Sequence, residues 1–400
     1  MRPGVRLLHE LLPILAVGAM AACSDSQQAR RPVDSMAVTD DEQPDADAGT
    51  IAIPLHADPE ELALPEPAAL PLGGSDVLAL SDGNELDMLS SLSVNEDGSI
   101  LVVFDRSDEE LSSGKVFVSR SHDGAAFSKP RALPVGAKEA GAVEPSLVMN
   151  PSLVRTTAGA FMYYTTSESL DGDASVFRRP LSSAGFGEPE AVGPIEQGSW
   201  LLSWPIFHAR TDGTVGLAYR TAHGTATYAT SSDGVTFSPT RAVPRADLAA
   251  MADAAELGNG GVAYTYQQGP MTQMVSYVTT SVATTSWSER QVVSDAANVH
   301  DTSMCRRADG GLDLYYIHPS VDAGFPAGFR LFRRALHPDG RLGPEERITA
   351  AELGEPSKPR ALRLSNGRVL VSYAQIAKRG TGGAPLVQRI VLAQLPGEAP

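Results

Sequence analysis

A repeated pattern of turns and apolar segments runs along the chain from Gly73 onward. In each copy a glycine turn is followed by a mostly apolar segment that ends on an aromatic residue, six positions after the glycine in five copies and five in the sixth. The copies lie about 45 to 60 residues apart, a spacing typical of repeat architectures. Apolar segments this short, bounded by turns, predict strands rather than helices. The copies are Gly98–Phe104, Gly159–Tyr164, Gly213–Tyr219, Gly260–Tyr266, Gly310–Tyr316 and Gly367–Tyr373.

Each copy belongs to a unit of four short strands. One strand-like segment precedes the turn, a third follows the polar loop after the aromatic residue, as in "KVFVSRS" or "TATYATS", and a fourth is short, as in "RALP". Short loops favour antiparallel pairing, and each sheet can bury its faces only against its neighbours, so the units should close in a ring. We therefore predict an all-β fold, a six-bladed β-propeller of four-stranded antiparallel blades, over residues 73–400. The sixth unit has no outer strand of its own, and we expect "DVLALS" at Asp76–Ser81 to supply it.

The N-terminus has the features of a processing segment. Arg2 and Arg6 precede a short apolar core, Leu11–Ala22, which predicts a signal peptide over residues 1–22. The stretch "AMAAC" resembles the lipobox of bacterial lipoproteins, which implies cleavage before Cys23 and a lipid on that residue. The alternative is a plain secretory signal followed by an incidental cysteine. Under the lipoprotein interpretation, Ser24 favours the outer membrane, so the protein is expected to be lipid-anchored in the cell envelope.

Residues 23–72 are predicted to be a disordered linker. After the cysteine this segment is rich in proline and holds eleven acidic residues against two arginines. That balance of −9 is more than half of the net charge of −16. A self-repelling segment of this composition cannot repay the entropy cost of ordering. The acidity argues against a nucleic-acid partner, and no basic aromatic patch argues for one.

Motifs for metal, nucleotide or serine-hydrolase chemistry are absent from the sequence. We therefore predict no cofactor and no metal. The second cysteine, Cys305, lies in an apolar strand pattern and is expected to be a small buried side chain rather than a nucleophile. With Cys23 acylated, no intrachain disulfide is possible.

Two short motifs resemble the Asp boxes of sialidases and related propellers. They are "SHDGAAF" at Ser121–Phe127 and "SSDGVTF" at Ser231–Phe237, in the compact form with Ser, Asp, Gly and an aromatic residue. The aspartates can accept backbone N–H groups across the turn, and the glycines can adopt positive φ. The resemblance implies a sialidase-like propeller, in which such boxes join the third and fourth strands and the active site lies on the opposite face. Their structural residues are Ser121, Asp123, Gly124, Phe127, Ser231, Asp233, Gly234 and Phe237.

The mouth of a propeller channel is formed where the chain enters the inner strands and leaves the second strands. Counting back nine residues from each turn glycine gives a first column, and the residue after each aromatic gives a second. The first column is Leu89, Asn150, Trp204, Met251, Asp301 and Lys358. The second column is Asp105, Thr165, Arg220, Gln267, Ile317 and Ala374, with Arg106, Gln268, His318 and Gln375 beside it.

This polar, mixed-charge mouth suits a sugar, whose hydroxyls need donors and acceptors and whose ring faces stack on aromatic side chains. The acidic residues could act as general acid and nucleophile, and arginines could hold a substrate carboxylate. Each of these residues also has a structural interpretation as a turn, cap or packing residue. The catalytic candidates are Asp301, Glu144 and Asp105. The substrate-binding candidates are Arg106, Arg220, Trp204, Asn150, Gln267, His318 and Lys358.

The chain departs from the sialidase pattern in its first blade. It has no lysine or arginine from Pro32 to Asp105, so the arginine of the sialidase Arg-Ile-Pro segment is missing. The family's catalytic residues are therefore not carried over. Two hypotheses stand: a lipid-anchored propeller that binds or processes glycans, as a glycoside hydrolase if it is an enzyme, and a non-catalytic scaffold for an envelope protein partner.

Overall fold

The computed structural model describes residues 63–65, 70–71, 77–81, 85–108, 112–134, 146–169, 174–193, 205–221, 225–238, 241–246, 252–269, 273–282, 286–320, 328–348, 355–379 and 385–395. The predicted signal peptide and Cys23 lie outside these residues. Strands are the regular structure of the described part, which contains no helix long and apolar enough to cross a membrane.

The strands, in chain order, are β1 (Leu70–Pro71), β2 (Val77–Ala79), β3 (Leu86–Val94), β4 (Ile100–Ser107), β5 (Gly114–Ser121), β6 (Ala126–Phe127), β7 (Arg131–Leu133), β8 (Leu147–Thr156), β9 (Gly159–Ser167), β10 (Ser175–Leu181), β11 (Glu190–Val192), β12 (Ile206–Ala209), β13 (Val215–Arg220), β14 (Ala226–Ser231), β15 (Arg241–Ala242), β16 (Ala252–Glu256), β17 (Val262–Gln268), β18 (Val275–Ser281), β19 (Gln291–Val292), β20 (His300–Arg306), β21 (Leu312–Ser320), β22 (Gly328–Leu336), β23 (Leu342–Arg347), β24 (Pro356–Arg363), β25 (Val369–Arg379) and β26 (Pro385–Leu395).

These strands form six four-stranded antiparallel blades within the described residues. From the inner strand outward, blade 1 is β3-β4-β5-β7, blade 2 is β8-β9-β10-β11 and blade 3 is β12-β13-β14-β15. Blade 4 is β16-β17-β18-β19, blade 5 is β20-β21-β22-β23, and blade 6 is β24-β25-β26-β2. The inner strand of each blade contacts the inner strand of the next, and β24 of blade 6 contacts β3 of blade 1. The predicted all-β six-bladed propeller is therefore confirmed.

The ring is closed by a strand from the N-terminal side of the propeller. Strand β2 pairs antiparallel with β26, with Val77 opposite Ala393. The pairing continues beyond the strand, where Leu80 N–H donates to the carbonyl of Ile390 at 2.7 Å, and Ile390 N–H donates to Ser81 Oγ at 3.0 Å. The segment predicted to supply the missing outer strand of the sixth unit does so.

The hydrophobic core is divided among the seams between blades. Six clusters of buried apolar side chains each join two neighbouring blades, including one across the closure between blades 6 and 1. The aromatic residues that mark the sequence repeat all lie in these clusters and are buried, and each faces the preceding blade. They are Phe104, Tyr164, Tyr219, Tyr266, Tyr316 and Tyr373. The repeat is therefore a packing pattern.

Two short pieces of the predicted linker are held on the propeller. Leu70 and Pro71 pair with the last two residues of the first Asp box, which form β6. Ala63 forms an isolated bridge with Gly185 in blade 2, and Leu64 is buried in the cluster between blades 1 and 2. Both contacts involve residues before the predicted boundary at residue 73, which stays a prediction, and Leu64 covers part of the seam between blades 1 and 2.

The second Asp box holds its turn through a network of short hydrogen bonds. Ser231 Oγ donates to Asp233 Oδ1 at 2.7 Å and accepts the N–H of Gly234 at 2.8 Å. The same aspartate oxygen accepts the N–H groups of Val235 and Thr236, both at 2.8 Å. Gly234 has φ of 71°, which a side chain would disfavour. These bonds are those of an Asx turn.

The first Asp box has the same arrangement. Ser121 Oγ accepts the N–H of Gly124 at 2.9 Å, and Asp123 Oδ1 accepts the N–H of Ala125 at 2.8 Å. Phe127 is buried in the seam between blades 6 and 1, and Phe237 of the second box is buried between blades 2 and 3. Both boxes follow the third strand of a blade. They lie on the face opposite the ends where the inner strands begin.

Replacing Asp233 with alanine should destabilise the protein by about 1–2 kcal/mol at neutral pH, because it removes the acceptor of the turn. The backbone N–H donors of Thr236 and Val235 lower the pKa of Asp233 to about 2, below its usual 3.8. The ionised carboxylate therefore stabilises the fold above about pH 4, and this contribution is lost as pH falls from 4 to 2. Thermal unfolding from pH 7 to pH 2 should show the difference between wild type and variant shrinking below pH 4.

Asp295→Ala is the matched control, because Asp295 is an exposed aspartate outside the boxes. It should leave the melting temperature unchanged. A difference between wild type and Asp233→Ala that stays constant down to pH 2 would contradict the assignment.

Candidate functional site

The entrances of four inner strands are interrupted by β-bulges. The register of each shifts across two residues, between Asp87 and Ser90, Met149 and Ser152, His300 and Ser303, and Ser357 and Arg360. The first predicted column falls inside these bulges at Leu89, Asn150, Asp301 and Lys358. Three of its members have the left-handed backbone that is rare outside glycine, with φ of 56° at Asn150, 53° at Asp301 and 50° at Lys358. The same strained backbone occurs in three blades, which indicates that the surrounding structure fixes the backbone at these bulges.

At these bulges, aspartate carboxylates link neighbouring blades by accepting backbone N–H groups. Asp105 Oδ1 accepts the N–H of Leu89 in its own blade at 2.7 Å, and Oδ2 accepts the N–H of Asn150 in the next blade at 2.9 Å. The Asp105 side chain is 0% exposed, and this burial raises its pKa to about 6 although the two N–H donors oppose the shift. Between blades 5 and 6, Asp301 Oδ2 accepts the N–H of Lys358 at 3.0 Å. These bonds replace ladder bonds that the bulges remove.

A third carboxylate link between blades, made by Asp253, was not predicted from the sequence. Asp253, in the inner strand of blade 4, accepts the N–H of Ala254 at 2.8 Å and the N–H of Met304 in blade 5 at 3.1 Å. Burial raises its pKa to about 6, with nearby Arg360 opposing the shift. The available signal was an acidic residue between alanines in the inner strand, two positions beyond the predicted column.

Charges of both signs meet at the entrances of blades 5, 6 and 1. Burial lowers the pKa of the Lys358 amine, while the carboxylates of Asp301 and Asp105 oppose the shift. Arg360, two residues further along the same strand, acts on both Lys358 and Asp253. The mouth therefore carries interleaved cations and carboxylates rather than a field of one sign.

Two amide side chains at the mouth keep polar atoms that have no hydrogen-bond partner within the part of the chain that the structure describes. Both polar atoms of the Gln267 amide lack a hydrogen-bond partner although the residue is only 1% exposed. Asn150, 3% exposed, donates through Nδ2 to Thr165 Oγ1 at 3.1 Å but leaves Oδ1 without a partner. A buried amide atom left unsatisfied costs about 1–3 kcal/mol unless water or a ligand satisfies it. Thr302 Oγ1, inside the bulge of blade 5, is likewise buried without a partner. A ligand or an ordered water could satisfy these atoms.

Other predicted site residues are engaged elsewhere. The Arg106 guanidinium bonds Asp87 through Nε at 2.6 Å and Nη2 at 3.2 Å, and it lies 4.4 Å over the Phe117 ring. The His318 ring stacks on Phe332, with ring centroids 3.6 Å apart. Its Nε2 lies 3.3 Å from Glu345 Oε1 on the outer strand of blade 5. Arg106 therefore lies at the bulge of blade 1, where it is paired with Asp87, whereas the His318 ring nitrogen is next to a carboxylate of the outer strand.

The remaining candidates divide into two groups. Arg220 ends the second strand of blade 3 and is buried, in the column it shares with Gln267. Asp301 is half-buried and binds Lys358 N–H through one oxygen. Glu144, Trp204 and Met251 lie outside the described residues, so their places at the mouth stay predictions.

The fold of the chain resembles that of several solved structures. No protein-family model matches the chain, and no curated protein matches it. A protein of unknown function from Dyadobacter fermentans has a TM-score of 0.62 at 16% identity, covering 84% of this chain and 100% of that one. The NanB sialidase of Streptococcus pneumoniae gives 0.57 at 10% identity over 79% of this chain and 69% of its own. An α-L-arabinanase of Penicillium chrysogenum gives 0.58 at 13% identity over 82% and 98%.

The fold is that of the sialidase-like β-propellers. At these identities the likeness establishes the architecture and leaves the chemistry of the mouth to its own residues. In this fold Asp105 and Asp253 use both carboxylate oxygens on backbone N–H groups. They therefore position the bulged backbone of the mouth.

Replacing Asp105 with asparagine should destabilise the protein by about 1–3 kcal/mol, because the amide offers one acceptor to two buried N–H donors. Since burial raises the pKa of Asp105 to about 6, the carboxyl holds its proton more tightly in the folded state, and its contribution to stability falls as pH rises from about 4 to about 6. Urea unfolding measured from pH 4 to pH 7 should give a lower midpoint for the variant than for the wild type. The fall in stability caused by titration of Asp105 between about pH 4 and pH 6 should be absent from the pH profile of the variant.

Asp295→Asn provides the control at an exposed aspartate. An Asp105→Asn protein with the wild-type midpoint at pH 7 would show that the two backbone bonds contribute nothing.

Proposed function

We propose that this protein is a lipid-anchored β-propeller of the cell envelope that binds glycans at the mouth of its ring. The observation that carries the proposal is a pair of buried amides with unsatisfied polar atoms among the described residues. Asn150 lies in the bulge of blade 2 and leaves Oδ1 without a partner, and Gln267, near the end of the second strand of blade 4, leaves both amide atoms without one. An amide presents a donor and an acceptor together, which matches the hydroxyls of a sugar.

The surroundings of these amides support an uncharged or zwitterionic sugar ligand. Lys358, Asp301 and Arg360 supply alternating charges close to the bulges. Arg220 belongs to the same column as Gln267, one blade away. The similar solved structures include a sialidase and an arabinanase complexed with arabinobiose, so this architecture holds sugars in other chains.

Binding is better supported than hydrolysis. A glycoside hydrolase needs two carboxylates roughly 5–10 Å apart with oxygens that can reach the scissile bond. Asp105 and Asp253 spend both oxygens on backbone N–H groups. Asp301 therefore stays the one acidic candidate of the described mouth with a carboxylate oxygen not committed to a backbone bond. Hydrolysis would need Glu144 as its partner.

Replacing Gln267 with alanine should weaken glycan binding at least fivefold to tenfold, since about 1 kcal/mol or more is lost with its hydrogen bonds. It should leave thermal stability unchanged or slightly higher, because the amide has no protein partner to lose. Arabinobiose and 3′-sialyllactose, followed by a panel of immobilised glycans, are the probes for calorimetry and array binding. Arg220→Ala should also weaken binding.

Arg241→Ala is the matched control, because Arg241 is exposed on the outer strand of the same blade as Arg220. Binding unaffected by Gln267→Ala and Arg220→Ala would refute the assignment of the mouth. Absence of any glycan binding, with an envelope protein that copurifies with wild type and is lost on mutating these residues, would favour the scaffold function instead.

The anchor is a separate part of the proposal and rests on the lipobox-like "AMAAC" and the acidic segment that follows it. Replacing Cys23 with serine should remove incorporation of labelled palmitate and release the protein from the membrane fraction. Cys305→Ser is the control, because Cys305 is buried within the propeller and has no part in the anchor. A Cys23→Ser protein that still fractionates with the outer membrane would contradict the lipid anchor.

A further inference from the structure

The rim turn of blade 4 departs from the Asp-box pattern at the positions that matter. Ser281 ends the third strand of this blade, as Ser121 and Ser231 end theirs. An aromatic residue, Trp287, follows six positions later, as Phe does in the two boxes. The sequence between them has Ala283 and Thr284 where the boxes have aspartate and glycine. The serine and the aromatic residue are kept, but the acceptor that holds the turn is gone.

This loss changes the environment of the serine. In the two boxes the serine Oγ accepts the N–H of the box glycine and contacts the box aspartate. Ser281 Oγ has no hydrogen-bond partner, although the residue is only 3% exposed. Neighbouring hydroxyls are paired, since Thr280 Oγ1 donates to Ser288 Oγ at 3.2 Å. The rim of blade 4 therefore has one buried hydroxyl with unused capacity.

A cavity of about 460 Å³ lies beside this hydroxyl, between the rims of blades 4 and 5. Its lining includes Ser281, Trp287, Leu257, Asn259 and Asp339. Val282, at the same rim, is 74% exposed, so the lining has an apolar edge open to solvent. The volume is in the range of small-molecule sites.

The aromatic wall of the cavity is held in place. The Trp287 indole meets the rings of Tyr264 and Tyr228 edge-on, with centroids 5.9 and 6.3 Å away. The ring is partly buried and lines the cavity. A tryptophan fixed by its neighbours offers apolar area at little entropic cost, as sugar-binding platforms require.

We propose that this cavity binds a neutral saccharide of one or two rings, on the face opposite the mouth. The sugar packs an apolar ring face on Trp287 and bonds the Ser281 hydroxyl. Asn259 of blade 4 and Asp339 of blade 5 provide further donors and acceptors. Among the described residues that line the cavity, Asp339 is acidic and none is a lysine or arginine. Arg341 Nε lies 3.8 Å from Asp339 Oδ2 and is already paired with it. The described lining therefore offers no cation to hold the carboxylate of an acidic sugar. This site is independent of the proposed glycan site at the mouth.

Fluorine NMR of the full-length protein labelled with 5-fluorotryptophan tests the proposal. The chain has three tryptophans, so the Trp287 resonance is assigned by its loss in Trp287→Phe. Titrated lactose should shift this resonance saturably, and 3′-sialyllactose should bind more weakly. Ser281→Ala should weaken lactose about fivefold to tenfold, the effect of losing about one hydrogen bond. Val282→Arg, at the open rim, should block binding.

Ser231→Ala is the matched control for Ser281→Ala. It should lower the melting temperature, because Ser231 holds a box, and leave lactose affinity unchanged. Ser281→Ala should leave the melting temperature unchanged and weaken lactose binding. Arg220→Ala, at the mouth, should leave the Trp287 titration unaltered, which separates this site from the proposed function.

Three outcomes would overturn the proposal. The first is a Trp287 resonance that does not move at high millimolar lactose. The second is an unchanged lactose affinity in Ser281→Ala. The third is 3′-sialyllactose binding as tightly as lactose.

Discussion

The structure depends on the burial of each blade between its two neighbours. A four-stranded sheet has two faces, and in this chain the apolar side chains of both faces lie in clusters shared with the next blade or the previous one. An open ring would expose one full seam on each side of the gap. The pairing of β2 with β26 prevents this by tying the start of the propeller to its end. The closure therefore joins the two ends of the propeller, and the positions of the inner strands at the axis depend on that joining.

Closure also explains why so many charged residues at the axis are structural. Inner strands converge at the entrance, and the bulges there free backbone N–H groups that cannot remain unpaired in a buried place. Asp105, Asp253 and Asp301 supply acceptors that reach from one blade to the next. A ring needs such acceptors whatever it binds. Gln267, Asn150 and Thr302 differ from these aspartates, because among the described residues they keep buried polar atoms without a hydrogen-bond partner.

Much of the fold could be predicted because it depends on periodicity. Turn glycines, strand length and the aromatic positions repeat in every blade. Because the sixth unit lacks an outer strand in the sequence, the segment that forms β2 could be assigned to it, and β2 does pair with β26. The site was harder to predict because its residues differ between blades and act through backbone direction. Counting from the glycines found Asn150, Asp301 and Lys358, but it could not reveal that a bulge turns their backbone to positive φ. It also could not separate Asp105, whose two oxygens are occupied, from Gln267, whose amide is not, and it passed over Asp253.

Repetition gives the chain its own internal reference. Ser121, Ser231 and Ser281 occupy the same place at the end of a third strand, so the same side chain can be compared in three turns of one molecule. In the first two the hydroxyl is consumed by the turn; in the third it is buried beside a cavity and unpaired. The third copy has Ala283 in the sequence where the two boxes have aspartate. Departures from the repeat, rather than the repeat itself, are therefore where binding can arise in such a ring.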